Sequence, residues 1–249
     1  MSRAAALLLL LLLSLARPAA ADIVADVDDH LVGITTGFSG TRILVFGSID
    51  GTDGEAAGDV VVVVRGPTSP VKLYRKGRVL GVWVNSAALT FVQTPSFYAV
   101  ASSRPLNEIA SPSERKRLKI GIDHLELQAI GRVSENLLTE WREALVRAKV
   151  RDRLYRVDPG EVLLLNDRLF RVDFELPAKV TTGTYMVETY LFKDGVAVAA
   201  QTLPLVVNKI GFEAAIYSFA QQQPPLYGIA AILVALVVGW VSYLIFRRN

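Results

Sequence analysis

Hydrophobic and polar residues alternate in short runs through the first half of the chain. Between Leu31 and Ser103 these runs are rich in Val, Ile, Phe, Tyr and Thr, and Gly, Pro, Asn and Asp separate them. Such spacing is typical of an antiparallel β-sandwich or barrel. We therefore expect a β-sandwich domain over residues 22–104, with Trp83 in its core. The runs are TRILVFGSI, DVVVVVRG, SPVKLYRKG, RVLGVWVNS, ALTFVQT and SFYAVASS.

In the segment 105–157 the apolar residues no longer alternate with polar ones but recur at helical spacing. Ser111, Pro112 and Glu114 stand in the order of an N-cap, a first helical residue and the third helical residue of a capping box. A second helix is expected from Glu135 to about Arg156, because apolar residues recur there at helical spacing and predict a stripe that docks on a β domain. These apolar residues are Leu138, Trp141, Leu145, Ala148 and Tyr155.

Alternation returns in a second β module over residues 158–210. The runs EVLLL, RLFRVDFEL, TYMVETYLF and VAVAAQTLPLVV predict four strands, and Asn166-Asp167 and Asp194-Gly195 are typical of hairpin turns. The order Gly183-Thr184-Tyr185, with Asp194-Gly195 shortly after it, is common in immunoglobulin-like modules. We therefore predict a mainly β protein with immunoglobulin-like β-sandwich modules and an inserted helical segment.

The run from Leu226 to Phe246 contains 21 residues and no charge. A helix of this length spans about 31 Å, which matches the hydrocarbon core of a bilayer. Arg247 and Arg248 follow the run, whereas the juxtamembrane segment 211–225 ends in uncharged residues. The positive-inside rule therefore predicts a transmembrane helix at 226–246 with a cytoplasmic tail at 247–249.

One face of this predicted span carries small residues spaced three or four apart. Small faces allow helix backbones to approach closely, and packing drives helix association in lipid. We therefore predict a helix–helix contact with an integral membrane partner or with a second copy of the chain. The residues of this face are Gly228, Ala231, Ala235, Gly239 and Ser242.

The first 21 residues follow the plan of a secretory signal peptide. Arg3 precedes an apolar run, and Pro18 precedes three alanines that provide an A-x-A cleavage site. An uncleaved anchor is the alternative, and it would give the chain two spans. Either interpretation leaves residues 22–225 outside the cytoplasm.

Charge and cysteine content argue against some kinds of function for this chain. The arginines at positions 3, 17, 247 and 248 lie outside residues 22–225, which carry 23 basic and 24 acidic residues. This balance does not indicate a nucleic-acid surface, which requires concentrated positive charge. The chain has no cysteine, so thiolate zinc sites and thiol catalysis are excluded.

Two acidic clusters could bind a cation. His30 lies near Asp26, Asp28 and Asp29, which allows a metal site but is more typical of an exposed acidic start of the mature chain. A Gly-rich loop within 50–59 could bind calcium through carboxylates, but it departs from the EF-hand pattern and is more typical of a solvated hairpin loop. Its acidic residues are Asp50, Asp53, Glu55 and Asp59.

The sequence signals for a catalytic site are weaker than those for a cation site. Gly37 to Gly40 read G-x-S-G, which lacks the last spacing of the nucleophile elbow and its strand–turn–helix context. His124 beside Asp123 is an adjacent pair and does not define a triad. We therefore predict no catalytic residue, no cofactor and no metal, and we do not expect an enzyme.

Six stretches of the chain carry a family resemblance: FSGTRILVFG, VVVVVRGP, GVWVN, PSFYAVASSRPL, GTYMVETYLFKDG and LYGIAAILVALVVGW. Together they resemble a family of alphaproteobacterial single-pass transmembrane proteins of unknown function. The resemblance covers nearly the whole mature chain and transfers no catalytic residue. It implies a Gram-negative inner membrane with the bulk of the chain in the periplasm. It also ranks a permease of the sulfite-exporter type first among transporter partners.

Three functions are then weighed. We favour a non-catalytic accessory or assembly subunit of an inner-membrane complex, because no catalytic constellation is found and the span has a small-residue face. A periplasmic binding module for a small ligand or metal ion is the alternative, and an enzyme of unrecognised type is the second alternative. The lipid bilayer is a partner in every case.

Overall fold

Strands are the main secondary structure of the described residues, which confirms the predicted mainly β class. The computed structural model describes residues 22–50, 58–131, 133–166 and 168–247. The strands are β1 (Asp22–Val27), β2 (Leu31–Ile34), β3 (Gly40–Asp50), β4 (Asp59–Arg65), β5 (Thr68–Val79), β6 (Val82–Pro95), β7 (Tyr98–Ser102), β8 (Gln128–Ile130), β9 (Gly160–Glu161), β10 (Leu163–Leu165), β11 (Leu169–Pro177), β12 (Gly183–Lys193) and β13 (Val196–Lys209). The helices are α1 (Leu106–Ile109), α2 (Pro112–Arg117), α3 (Glu135–Arg151), α4 (Phe212–Gln222) and α5 (Pro224–Phe246), with a 3₁₀ turn at Ile122–His124.

The described strands form three sheets. The first sheet has the order β1-β3-β11-β10, the second β2-β13-β12-β4-β7-β9, and the third β5-β6-β8. Strand β11 pairs antiparallel with β3, and β12 pairs antiparallel with β4. The segments 22–104 and 158–210 therefore contribute strands to the same two sheets. The immunoglobulin-like arrangement predicted for these segments is not confirmed.

The chain divides into two units. The β unit contains the described residues up to Val32 and those from Ser39 to Val207. The helical unit contains Gly33–Phe38 and the described residues from Asn208 onward. The signal peptide predicted at 1–21 lies outside the described residues.

Strand β4 is buried on both of its faces. Its five valines, Val60–Val64, are at most 1% exposed. Val61 and Val63 pack in a cluster with Ile109, Ile120 and Tyr155 from the helical segment. The even-numbered valines point to the opposite face, because side chains alternate along a strand. A run of five apolar residues is the pattern of a strand that is covered on both sides.

Helix α3 packs its apolar stripe on the third sheet. Trp141 and Leu145 are buried together with Leu89, Phe91 and Leu127. The amphipathic stripe therefore docks on β structure, as its spacing predicts.

The predicted end of α3 at about Arg156 is wrong, because the helix ends at Arg151. Arg153 takes the left-handed conformation with φ 59°. The Leu154 N–H donates to the Lys149 carbonyl and the Arg153 N–H to the Val150 carbonyl, each at 2.9 Å. This pattern is a Schellman motif, which satisfies the last carbonyls and stops the helix.

Helix α2 begins at the predicted N-cap. Ser111 Oγ accepts a hydrogen bond from the Glu114 N–H at 3.3 Å. The second half of the capping box is not formed, because the Ser111 N–H donates to the Gly195 carbonyl at 3.1 Å and the Glu114 carboxylate pairs with Arg117. Helix α2 is thereby tied to the β12–β13 turn.

The helical unit contains α4 and α5, joined at Gln223. The Phe219 and Tyr227 rings lie edge to face across this junction, 6.2 Å between centroids. Helix α5 has 23 residues, its most apolar 18-residue window has a mean hydropathy of 2.6, and none of its described residues is buried. It is the one described helix that is long and apolar enough to cross a membrane.

Candidate interaction sites

The five small residues predicted as a helix contact lie on one face of α5. At about 100° per residue they fall within an arc of about 80°, so the helix brings all of them together. A Cβ placed on Gly228 or Gly239 would meet no atom within 4 Å. This small face is therefore open along the described helix, and its contact with a partner stays a prediction. The residues are Gly228, Ala231, Ala235, Gly239 and Ser242.

A second exposed surface is the outer part of the β5–β6 hairpin, residues 72–88, which we call the arm. Its turn is Leu80-Gly81, with φ values of 49° and 85°. Two positive φ values are the signature of a type I′ turn, which fits the twist of a two-residue hairpin. The run RVLGVWVNS, predicted as one strand, is therefore split by this turn. Local sequence does not predict this turn, because a leucine with positive φ is uncommon.

The expectation that Trp83 lies in the core is wrong. Its side chain is 66% exposed, and Leu80 at the apex is fully exposed. Trp83 pairs with Arg78, and Val79 pairs with Val82. All residues from 78 to 88 are exposed, so neither face of this length of hairpin is buried.

The arm is basic as well as apolar. Lys72, Arg75, Lys76 and Arg78 lie along β5, and no acidic residue occurs from position 60 to position 107. Arg75 reaches Glu140 of α3 at 3.2 Å. The Lys72 ammonium lies 5.3 Å from the centre of the Tyr74 ring. Arg78 Nε also donates to the Gly81 carbonyl at 3.3 Å. The described contacts otherwise leave the positive charges of the arm facing solvent.

A cleft of about 730 Å³ lies in the β unit. Arg153 and Arg156 line it, and neither makes an ion pair with any described residue. Arg42 also lines the cleft and reaches Glu175 at 3.8 Å. The cleft therefore holds guanidinium groups with open donors, which suit small oxyanions.

A polar cluster fixes the helical segment on the second sheet. Arg65 pairs with Glu188, and the Arg65 guanidinium donates to the Leu118 carbonyl at 2.8 Å. The Gly121 N–H donates to the Tyr98 hydroxyl at 2.7 Å. Burial raises the pKa of the Tyr98 hydroxyl, while the nearby positive charge of Arg65 opposes that rise. The groups satisfy one another, so we assign the cluster a structural role.

The residues considered as metal ligands do not converge. His30 Nε2 lies 3.3 Å from Asp26 Oδ1, and both side chains are more than half exposed. The described residues contain no group of three His, Cys, Asp or Glu side chains that could hold a metal ion. In the acidic loop, Asp53 and Glu55 lie outside the described residues, while Asp59 pairs with Arg104.

The exposed apolar helix agrees with a comparison against known protein families. A family described as "Putative transmembrane protein (Alph_Pro_TM)" matches residues 22–248. The chain belongs to this family. The predicted resemblance is therefore confirmed, and the match begins at the first residue after the predicted signal peptide. No curated protein and no solved structure gives a significant match to the chain. Membership of this transmembrane family supports membrane association through α5.

Proposed function

We propose that this chain is a single-pass inner-membrane protein and a non-catalytic accessory or assembly subunit of a membrane complex. Its β unit lies in the periplasm and its C-terminus in the cytoplasm. The observation that carries the proposal is the small face of α5, which stays open along a helix with no buried residue. A spanning helix with such a face supports close packing against a second helix.

The proposed orientation follows from the charges that flank α5. Arg247 and Arg248 come directly after the helix, and the preceding residues 221–225 are uncharged. Because the chain has no cysteine, single cysteines at Val157 and at Asn249 would report the two sides separately. A maleimide that cannot cross the inner membrane should label the first in spheroplasts and the second only after lysis. The reverse pattern would reject the orientation.

Partner binding is tested by purifying the tagged full-length protein from gently solubilised membranes and analysing it by mass spectrometry. A membrane partner in fixed stoichiometry is expected, either an integral protein such as a transporter or a second copy of this chain. The triple variant Ala231→Leu, Ala235→Leu and Gly239→Leu fills the small face and should release it.

A matched control places the same side chains on the opposite face of α5. The triple variant Ala230→Leu, Val237→Leu and Val241→Leu should retain the partner, because these residues are centred about 140° away from the small face around the helix. Equal recovery from the two triple variants would reject the small face as the contact. Recovery of the wild-type protein alone, as a monomer, would reject the accessory role.

The cleft supports a second candidate, a binding module for a small ligand. Arg153 and Arg156 would bind an oxyanion such as sulfite, sulfate or phosphate. Calorimetry on the full-length protein should then show heat that is lost in the variant Arg153→Gln with Arg156→Gln. Arg171→Gln, an exposed change on β11, is the control. The absence of heat with all three anions would reject this candidate.

A further inference from the structure

The arm has its apolar and basic residues layered along its length. Val79, Leu80 and Val82 form the apex around the turn. The next rung pairs Arg78 with Trp83. Behind that rung, β5 carries Lys76, Arg75, Tyr74 and Lys72 as its exposed side chains, whereas β6 carries Val84 and then small or polar residues from Asn85 to Ala88. Along β5 the order therefore runs from apolar at the tip to cationic at the base.

This order matches the layers of a phospholipid surface. Aliphatic side chains favour the acyl boundary, Trp and Tyr favour the head-group level, and Lys and Arg bind anionic phosphates. The apex and its first rung extend about 7 Å along the strands. That length agrees with the depth of about 5–10 Å that interfacial segments reach.

We propose that the arm docks on an anionic phospholipid bilayer, the one in which α5 of the same chain is anchored. The apex enters the head-group and acyl boundary, Trp83 lies at the head-group level, and Lys76 and Arg78 bind phosphates. This goes beyond the proposed function, which concerns the small face of α5, and it rests only on the membrane anchoring. Tethering through α5 keeps the bilayer surface at a high effective concentration.

The observations favour lipid over a protein partner. A protein groove covers one face of a hairpin, whereas the arm exposes apolar side chains on both: Val79, Val82 and Val84 on one and Trp83 on the other. The stretch without acidic residues also provides no negative charge to pair with a basic patch of a second copy. A bilayer surrounds an inserted tip on all sides, and its anionic lipids supply phosphate charge that complements the arm.

Backbone hydrogen bonding limits the depth of insertion. From Val82 to Leu89 the outer edge of β6 pairs with no described strand, because β8 pairs only with Thr90, Phe91 and Val92. Open edge groups are not tolerated in the hydrocarbon core but can bond water and phosphate in the head-group layer. The arm therefore docks shallowly and does not span.

The test uses the full-length chain in nanodiscs. The variant Leu80→Cys, labelled with the environment-sensitive fluorophore NBD, is compared in discs of phosphatidylcholine with and without phosphatidylglycerol. The emission of the label should shift to the blue in anionic discs and be quenched by lipids that carry a shallow quencher. The same label at Val157→Cys reports an exposed position outside the arm and should not respond.

Charge reversal tests the basic layer. Lys76→Glu with Arg78→Glu should lower the docking equilibrium constant about tenfold or more, because two attractive charges become repulsive. Lys116→Glu with Arg171→Glu makes the same change at exposed residues of α2 and β11 and should leave docking unchanged. Because Lys76 and Arg78 are exposed, neither double variant should alter the melting temperature.

Three results would overturn the proposal. The label could keep a water-like emission in both kinds of disc. It could change only with protein concentration or with an added protein, which would make the arm a protein-docking element. It could respond only to separately added anionic vesicles, which would assign it to an opposing membrane. The small-face variants of α5 should not affect the label, so failure of the accessory role and failure of arm docking are distinguishable.

Discussion

Arg104 donates from Nε to Asp59 Oδ1 at 2.9 Å, joining the first residue of β4 to the segment between β7 and α1. Ser103 Oγ also donates to Asp59 Oδ1, at 3.0 Å, and accepts from the Val60 N–H at 3.2 Å. The pKa of the Asp59 carboxyl is lowered, mainly by the hydrogen bond from Arg104, while burial opposes that effect. Asp59 therefore holds the central strand to the start of the helical segment.

This contact predicts an acid-dependent loss of stability. A carboxyl whose pKa is lower in the folded state stabilises the fold above its unfolded pKa, about 3.9, and loses that contribution as pH falls through the folded pKa. Asp59→Asn should lower the melting temperature of the full-length protein at neutral pH, and the difference from wild type should shrink below about pH 4. Glu175→Gln, which removes an exposed 3.8 Å pair with Arg42, should have little effect at any pH. A difference for Asp59→Asn that stays constant from neutral pH to pH 2 would contradict this role.

Two aromatic residues of β6 should differ sharply when truncated. Phe91 is fully buried against α3, whereas Trp83 is 66% exposed on the arm. Phe91→Ala should lower the free energy of unfolding by about 3–5 kcal/mol. Trp83→Ala should change it by no more than about 0.5 kcal/mol. Chemical denaturation of both variants measures the contrast, and a large loss for Trp83→Ala would restore the core role predicted from sequence.

The Tyr155 hydroxyl is hydrogen-bonded to the last residue of β6 in the third sheet. It donates to the Pro95 carbonyl at 2.8 Å in a buried site, and Tyr155 is 2% exposed. Tyr155→Phe leaves that carbonyl without its donor, which should cost about 1–3 kcal/mol. Tyr74→Phe, at an exposed position of the arm, is the matched control and should be neutral. Equal denaturation midpoints for the two variants would mean that the bond contributes little.

Arg153 occupies the left-handed position that ends α3, with φ 59°. Non-glycine residues pay a steric penalty there, of about 1–2 kcal/mol, that glycine avoids. Arg153→Gly should therefore raise the free energy of unfolding by about 0.5–1 kcal/mol after the greater backbone entropy of glycine is subtracted. Arg171→Gly, in the extended strand β11, is the control and should lower it. A drop in stability for Arg153→Gly would indicate that the Arg153 side chain makes a stabilising contact of its own.

Local sequence determined the elements of this protein wherever one short pattern was sufficient. The uncharged run that contains α5 predicted a membrane-spanning helix, because length and hydropathy alone decide that property. Ser111 and Pro112 predicted the start of α2, and Asp194-Gly195 predicted the β12–β13 turn, with φ values of 50° and 80°. The small face of α5 also followed from spacing, since a helix fixes which residues share a side.

Tertiary structure decided what those elements contact. The pairing of β11 with β3 and of β12 with β4 joins segments more than 100 residues apart, which no local pattern specifies. Tryptophan is a large apolar residue that is usually buried, yet Trp83 lies next to the Leu80-Gly81 turn at the exposed end of the hairpin. Exposure depends on which elements cover a strand, so the basic and apolar arm could be recognised only in the folded chain.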